Sequence, residues 1–497
     1  MQKVLFYSTQ GLSPLHLGQE LELIEKEKNK GNEVYILHCN AKLKSCYFNP
    51  CHNLLGCAIC EGRRAHFHTK MVNEDHIFAL KRIDVDIDVP DFESLDDLIA
   101  FRYKDVEIGR GVASSVISLE RDFNITRSSS RHRDLVEMKM EMAAYVVENL
   151  EYYVSKIQPD KIVLFNGRFA ELYPIVDFCK KRGIDFICFE RASNKKKYQV
   201  YKNHLPHSIV ARNELMLSLW HTKDEQKKKI AEAWFTSKRA GNNPYTINHL
   251  SYQKKDILPE GFDENKINIA VFNSSEDELK TIIEWQDNAL YESQNEAIFK
   301  IFDHFKNRPE IHFYLRIHPN LAKINNLQMQ ELRHFTQENI TILSGSAAVD
   351  TYALIEACDK VLTFASTVGI EATFWGKPAI LFGKSFYKVL NATYNPDSYE
   401  ELFQILQDRD LAPINRETTL PYGYFYTNYG TLPESFKYDG KYNSEYNGEK
   451  IKRIYPVTIL NFFDYFTQIN TWLRNNRLVL GHRLKLKEVF KLKSHLD

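Results

Sequence analysis

IHFYLRIHPN at 311–320 and KVLTFASTVGIEATFWGKPAILF at 360–382 are two runs in which a short apolar strand delivers polar residues to a turn. In the first, apolar and aromatic residues alternate through Ile317, and His318, Pro319 and Asn320 fall where the chain leaves the sheet edge. In the second, the strand brings Ser366 and Thr367 to the start of a helix, with Ser366 placed as its cap, Glu371 follows one turn on, and Pro378 opens the next strand. A helix start at the carboxyl end of a parallel strand presents unpaired N–H groups and the positive end of a dipole, which suits phosphate. A carboxylate one turn further in suits a ribose diol. Either motif alone reads equally well as a loop opening or a helix cap. Their succession carries the weight: strand, His-Pro, helix, strand at 340–343, helix at 350–357, strand, Ser-Thr-x-Gly-x-Glu. That order predicts a nucleotide site on one Rossmann-like half.

Working outward, residues 267–272 form the opening strand of this half, and Asn273, Ser274, Ser275 and Glu276 at its end face the same crevice, as does Arg316. Upstream, the strand 3–8, a helix ending at Gly31 and the strand 33–38 make a βαβ opening, with His16, Gly18 and Glu20 in its first loop and helix. Later strands at 161–165 and 184–189 end in Asn166-Gly167-Arg168 and Glu190-Arg191, polar residues at adjacent carboxyl ends. The expected architecture is α/β with two Rossmann-like domains: residues 1–238, a linker over 239–266, a second domain over 267–414, and an extension over 415–497 that ends in a helical, basic segment. A long helical segment is expected over 208–238, a half-exposed strand at 84–88 and irregular chain at 415–450. Arg110, Arg131 and Arg133 read as candidates to line an anionic path or as solvated loop residues.

The 497 residues exceed what one core usually serves, and 65 basic against 65 acidic residues exclude a general nucleic-acid binder. The amino terminus lacks a signal-peptide pattern and no run approaches about 18 apolar residues, so a cytoplasmic place is expected. After Trp472, seven Lys or Arg against Glu488 and Asp497 fit attachment to the inner, anionic face of a membrane. Five of the eight cysteines fall between Cys39 and Cys60, in a segment expected to be a long loop. There Cys39, Cys46, Cys57 and Cys60 form a candidate set for a structural zinc, or for an iron–sulfur cluster, set against free or reversibly oxidised thiols.

The 311–390 region, and more loosely 160–192 with its Asn-Gly-Arg and Glu-Arg, resembles the two-Rossmann-domain (GT-B) glycosyltransferases of bacterial capsule and surface-polysaccharide synthesis and their Kdo- and sialyl-transferring relatives. The resemblance implies transfer of a sugar from a nucleotide-sugar donor to an oligosaccharide or lipid-linked glycan. Leaving-group stabilisation would need no cofactor. His318, Pro319, Ser366, Thr367 and Gly369 would hold the donor phosphates and Glu371 the ribose. Glu20, His16 and Glu190 are the candidates for the catalytic base, and Asn166, Arg168 and Arg191 for the acceptor. A nucleotide-sugar 2-epimerase, a CDP-polyol phosphotransferase and a non-catalytic glycan-assembly protein are the competing readings.

Overall fold

Two parallel sheets arise from the repeated succession of apolar strand, polar turn and helix. The computed structural model describes residues 1–451 apart from 90, 127, 195, 242–251, 287, 289 and 440–443. The first sheet contains β1 (Lys3–Ser8), β2 (Glu33–His38) and β3 (Ile77–Ala79). After a short hairpin of β4 (Arg102–Tyr103) and β5 (Val106–Glu107) it continues with β6 (Lys161–Phe165), β7 (Asp185–Arg191) and β8 (Tyr198–Lys202). Its order is β3-β2-β1-β6-β7-β8, parallel except for the β7–β8 pair at one edge. The second sheet contains β9 (Ile267–Phe272), β10 (Ile311–Arg316), β11 (Ile340–Leu343), β12 (Lys360–Thr363) and β13 (Ala379–Leu381), in the order β11-β10-β9-β12-β13 and parallel throughout. In each half the direction of winding reverses beside the first strand, between β1 and β6 and between β9 and β12. The loops there diverge to opposite faces and leave a crevice at the strands' carboxyl ends. Both halves are therefore Rossmann-like, as expected.

Local chemistry explains the elements. The helix Pro14–Asn29 begins with Ser13 capping the His16 N–H and Pro14 in its first turn, and it buries Leu17, Leu21 and Ile24. Four expectations change. Residues 54–71 form a helix rather than a loop, capped by Asn53, so Cys57 and Cys60 stand on a helical face. Residues 84–88 alternate in burial but pair with no strand. The 208–238 segment breaks into two helices, Ile209–His221 and Lys227–Arg239. The 415–450 region holds a helix, Leu420–Asn428, and a three-stranded antiparallel sheet of β14 (Phe436–Tyr438), β15 (Ser444–Tyr446) and β16 (Glu449–Ile451). The helical basic terminus lies outside the described residues. Among the described residues, no helix is long and apolar enough to cross a membrane.

The chain runs from the first half to the second and then back. Helix Leu420–Asn428 packs on Lys227–Arg239, where Trp234 and Phe235 join Ile370 and Phe374 of the second half in one apolar cluster. Beyond it, Tyr198 of β8 and Thr431 exchange backbone hydrogen bonds, and the small sheet settles on the first helix. Phe436 fits over Gly18, where a Cβ would come within 2.5 Å of its ring. Glu22, fully buried, accepts from the Glu434 and Ser435 N–H groups at 2.9 and 3.2 Å and from the Tyr198 hydroxyl at 2.9 Å. Phe436→Ala should therefore lower stability in urea unfolding by about 3 kcal/mol and open residues 430–451 to limited proteolysis.

Candidate functional site

At the first reversal point, Asn166 and Gly167 turn the chain off β6 with φ of +50° and +86°. A Cβ at Gly167 would meet Cys188 Sγ and Leu205 at 2.7 Å, so this turn accepts only glycine. The turn aims Asn166 Nδ2 at Glu190 Oε2, 2.8 Å away at the end of β7. His16 stands beside them, half-buried, its ring 4.5 Å from Phe165 and 5.4 Å from Phe48. Its Nδ1 lies 3.0 Å from Gln19 Oε1, which only accepts, so Nδ1 carries the proton and Nε2 presents a lone pair. Burial lowers the imidazole pKa below its usual value, with Glu190 acting in opposition, so the ring is neutral near pH 7. Arg191 is exposed at the end of β7.

Glu20 and Arg168 are placed differently from expectation. Glu20 is fully buried one turn beneath His16, accepting from Ser8 Oγ at 3.0 Å and from Gln10 Nε2, and burial pushes it up to about 7. A substrate hydroxyl cannot reach it there. Arg168 donates to the Glu278 carbonyl at 2.8 Å and to Ser118 Oγ at 3.2 Å, which makes it a contact between the halves rather than a lining for an acceptor.

In the second half, Asn273 Oδ1 accepts from the His318 N–H at 2.8 Å and so ties the ends of β9 and β10 together. The Ser274 N–H donates to Gln294 Oε1 at 2.8 Å. Pro319 opens a single 3-10 turn, and His318 Nδ1 accepts from the Asn320 N–H at 3.2 Å. That bond leaves the ring proton on Nε2, the donor a phosphate oxygen requires. Ser366 Oγ accepts from the Val368 N–H at 3.3 Å, while Thr367 rather than Ser366 is the cap position of the short helix Val368–Phe374. Gly369 is needed for packing, since a Cβ would lie 2.5 Å from Tyr387 Oη.

Two donor candidates are occupied by the fold. Arg316, 3% exposed, donates to the Val349 and Ala347 carbonyls at 2.9 and 3.2 Å, so it braces the loop after β11. Glu371, also 3% exposed, holds Lys238 Nζ at 2.6 Å, Thr367 Oγ1 at 2.7 Å and the Tyr352 hydroxyl at 2.6 Å. A ribose would have to displace one of these partners. Sequence reasoning missed Lys238, because its helix reads as a solvated face ahead of a linker and nothing local signals a partner 133 residues away.

The cysteines do not assemble into a ligand set. All eight are free, and among the described residues no group of three or more His, Cys, Asp or Glu side chains could hold a metal ion. The Arg64 guanidinium, fully buried, lies among the thiols instead, 3.9 Å from Cys39 Sγ. Burial raises the Cys39, Cys46, Cys57 and Cys60 thiols above their usual range.

The halves meet through the loop after β9. Arg110 donates to the Thr281 carbonyl at 3.1 Å and to Gln286 Oε1 at 2.6 Å, and Arg121 to Asp277 Oδ2 at 2.5 Å. Trp285 Nε1 donates to the His207 carbonyl at 3.0 Å. Both sets of strand carboxyl ends therefore border one cleft, which contains a cavity of about 490 Å3 lined by Ser275, Glu276, Lys280, Trp285, Phe364 and Lys384 among others.

Residues 283–416 match the family described as capsule polysaccharide biosynthesis protein, a span that includes His318, Ser366, Thr367 and Glu371. No curated protein matches the chain. Among solved structures, the chain is similar to the β-Kdo 2,4 transferase of KpsC from Thermosulfurimonas dismutans, with 12% identity, 53% of this chain and 78% of that one covered, and a TM-score of 0.35. It is similar to the UDP-GlcNAc 2-epimerase of Methanocaldococcus jannaschii, with 12% identity, 84% and 97% coverage and a TM-score of 0.26. It is also similar to the glycosyltransferase SnogD of Streptomyces nogalater, with 12% identity, 86% and 96% coverage and a TM-score of 0.24.

The Lys238–Glu371 pair makes a direct test of the second half's wiring. Lys238→Met, which strands a buried carboxylate, should cost about 3 kcal/mol in denaturant unfolding. Adding Glu371→Gln should recover most of that loss, as a double-mutant cycle would register.

Proposed function

We propose that the protein is a glycosyltransferase that moves a sugar from a nucleotide-sugar donor onto a capsule or other surface glycan. The observation that carries this reading is the meeting of two Rossmann reversal points across one cleft, with the capsule-biosynthesis match lying on the second of them. A donor seated at the end of β9 and β12 places its phosphates near His318, Ser366 and Thr367. An acceptor enters from the first half, along Asn166, Glu190 and the exposed Arg191.

The chemistry follows from protonation states. His16 Nε2 accepts the acceptor hydroxyl's proton as the oxygen attacks the donor's anomeric carbon, and Glu190, held by Asn166, lies close enough to stabilise the imidazolium that forms. As the glycosidic bond breaks, negative charge grows on the departing phosphate. His318 Nε2–H and the Ser366 hydroxyl are the donors positioned to meet it. Opening and closing of the cleft through the loop after β9 admits donor and acceptor in turn. The basic terminus beyond Trp472 would keep the enzyme at an anionic membrane surface, where lipid-linked glycans are found.

Incubation with radiolabelled nucleotide sugars, with and without a glycan acceptor, tests the reading. A transferase consumes donor only when acceptor is present; an epimerase interconverts donors without one, and an assembly protein does neither. With an active donor found, His16→Ala should lower kcat by about 100- to 1,000-fold with donor KM little changed. Because the His16 pKa lies below 6.5 and the neutral ring is the active form, the acid limb of the wild-type kcat/KM profile should fall below pH 6.5 and vanish in this variant.

A further inference from the structure

Residues 39–53 join β2 to the helix Leu54–Met71 with neither helix nor strand, yet two buried ionisable side chains tie down their tip. Cys46 and Asn49 exchange backbone hydrogen bonds at 3.3 and 3.1 Å and close a turn with Tyr47 and Phe48 at its apex. Glu171, buried beyond the turn that ends β6, accepts from the Tyr47 N–H at 2.6 Å. Lys139, buried on the helix Ser130–Ile157, donates to Ser45 Oγ at 2.8 Å, and that hydroxyl donates on to the Pro50 carbonyl at 2.8 Å. The segment that carries Glu171 also supplies Phe169, on which the Tyr47 ring stacks at 4.2 Å. Burial raises the Glu171 carboxyl and lowers the Lys139 amine, and each one's charge opposes the shift in the other, so the two are electrostatic neighbours beneath the turn.

We propose that Glu171 and Lys139 are positioning residues for His16: they seat the 46–49 turn, and through it Phe48 holds the imidazole with Nε2 open to the acceptor. The inference rests on the glycosyltransferase reading for what His16 does and adds what holds it there. Three contacts fix the ring. Gln19 takes the Nδ1 proton from the same helix, and Phe165 lies 4.5 Å away at the end of β6, so both are set by regular structure. Phe48, 5.4 Å from the imidazole and 5.1 Å from Phe165, completes a triangle of rings from a segment with no helix or strand of its own. Its place therefore depends on what seats the turn. Apolar side chains could seat a loop at lower cost in desolvation, but they would let it slide. A buried carboxyl group on a backbone N–H and a buried lysine on a hydroxyl fix one register. The turn also borders the cleft: Tyr47 is 48% exposed, and the charges of Glu190, Arg168 and Arg191 reach its phenol. A base misplaced by about 1 Å loses about 100-fold in rate, so the seat of this turn bears directly on transfer.

Isotopically labelled histidine reports the ring directly in NMR titrations of the full chain, with the His16 signal identified among the 17 histidines by its loss in His16→Ala. Glu190 and Arg191 at the end of β7 and Gln19 on its own helix are the groups that act on it, and the variants leave all three in place. Phe48→Ala and Glu171→Ala should let water onto the imidazole and move its pKa up toward the ordinary 6.5. They should also speed its modification by diethylpyrocarbonate, followed by mass spectrometry, by about threefold or more. Lys139→Met should do the same, whereas Glu171→Gln, which keeps an acceptor for the Tyr47 N–H, should retain most of the wild-type behaviour. Lys161→Met breaks the ion pair with buried Glu27 at the opposite end of β6 and should leave both readouts unchanged. With an active donor found, the acid limb of kcat/KM in Glu171→Ala should move to higher pH along with the NMR value, and kcat should fall by about tenfold or more with donor KM unchanged. Wild-type pKa and modification rate in Phe48→Ala and Glu171→Ala overturn the proposal, as does an equal change in Lys161→Met, which would mean a general loosening of the first half. Should Glu171→Ala fail to fold, Phe48→Ala at the turn's apex decides by itself. These outcomes need no substrate and leave the glycosyltransferase reading standing. Undiminished sugar transfer by His16→Ala overturns the base assignment and this proposal with it.

Discussion

Arg121, Arg110 and Arg168 extend from the first half to the loop after β9, and the cleft exists in its present form because of those contacts. Their acceptors are the backbone carbonyls of Thr281 and Glu278, the side-chain oxygens of Gln286 and Ser275, and the Asp277 carboxylate, held at 2.5 Å. A guanidinium carries several N–H donors in a fixed plane, so one side chain can engage a carbonyl across the cleft and a group on its own half together, as Arg168 does with Glu278 and Ser118. Such contacts are directional and charge-assisted but bury little apolar surface. They define a closed arrangement that can separate without unfolding either core.

The returning chain provides a second, apolar tie. Helix Leu420–Asn428 joins the two halves, and the small sheet after it settles on the first. Trp234, Phe235 and Phe374 are packed together there, and Phe436 sits over Gly18. An apolar tie alongside polar contacts suits a molecule whose halves hinge, because packed aromatic surface resists separation more strongly than solvated hydrogen bonds do.

Buried carboxylates sort themselves by what faces them. Glu22 and Glu371 each hold a lysine and at least one tyrosine hydroxyl, and both anchor distant segments. Glu20 and Glu276 lack a directly bonded lysine, and burial pushes each up to about 7. Their settings still differ. Glu20 receives Ser8 and Gln10 on one oxygen beneath the first loop, whereas Glu276 accepts from the Gln294 N–H at a cavity wall, and each keeps its other oxygen without a hydrogen-bond partner among the described residues.

Both Rossmann halves were legible in the sequence because strand burial and turn chemistry are local: a run such as KVLTF followed by Ser-Thr predicts strand and turn wherever it folds. The nearness of Asn166 to Glu190, and of Asn273 to His318, followed from sequential βαβ units, in which consecutive strands pair as neighbours. Residue type alone could not say which way a charged side chain would turn. Arg316 and His318 are two positions apart, yet one braces a loop from inside and the other stands at the strand end. Glu20 and His16 share a helix face, but one turn of depth divides a buried acid from a half-buried imidazole. The cysteine segment looked like a metal loop until Asn53 capped a helix through it and Arg64 took the place among the thiols. Lys238 and Arg121 acquired their roles from partners on other elements, 133 residues away for Lys238 and 156 for Arg121. Contacts at that range are set by how two finished cores dock, and only the tertiary structure decides that.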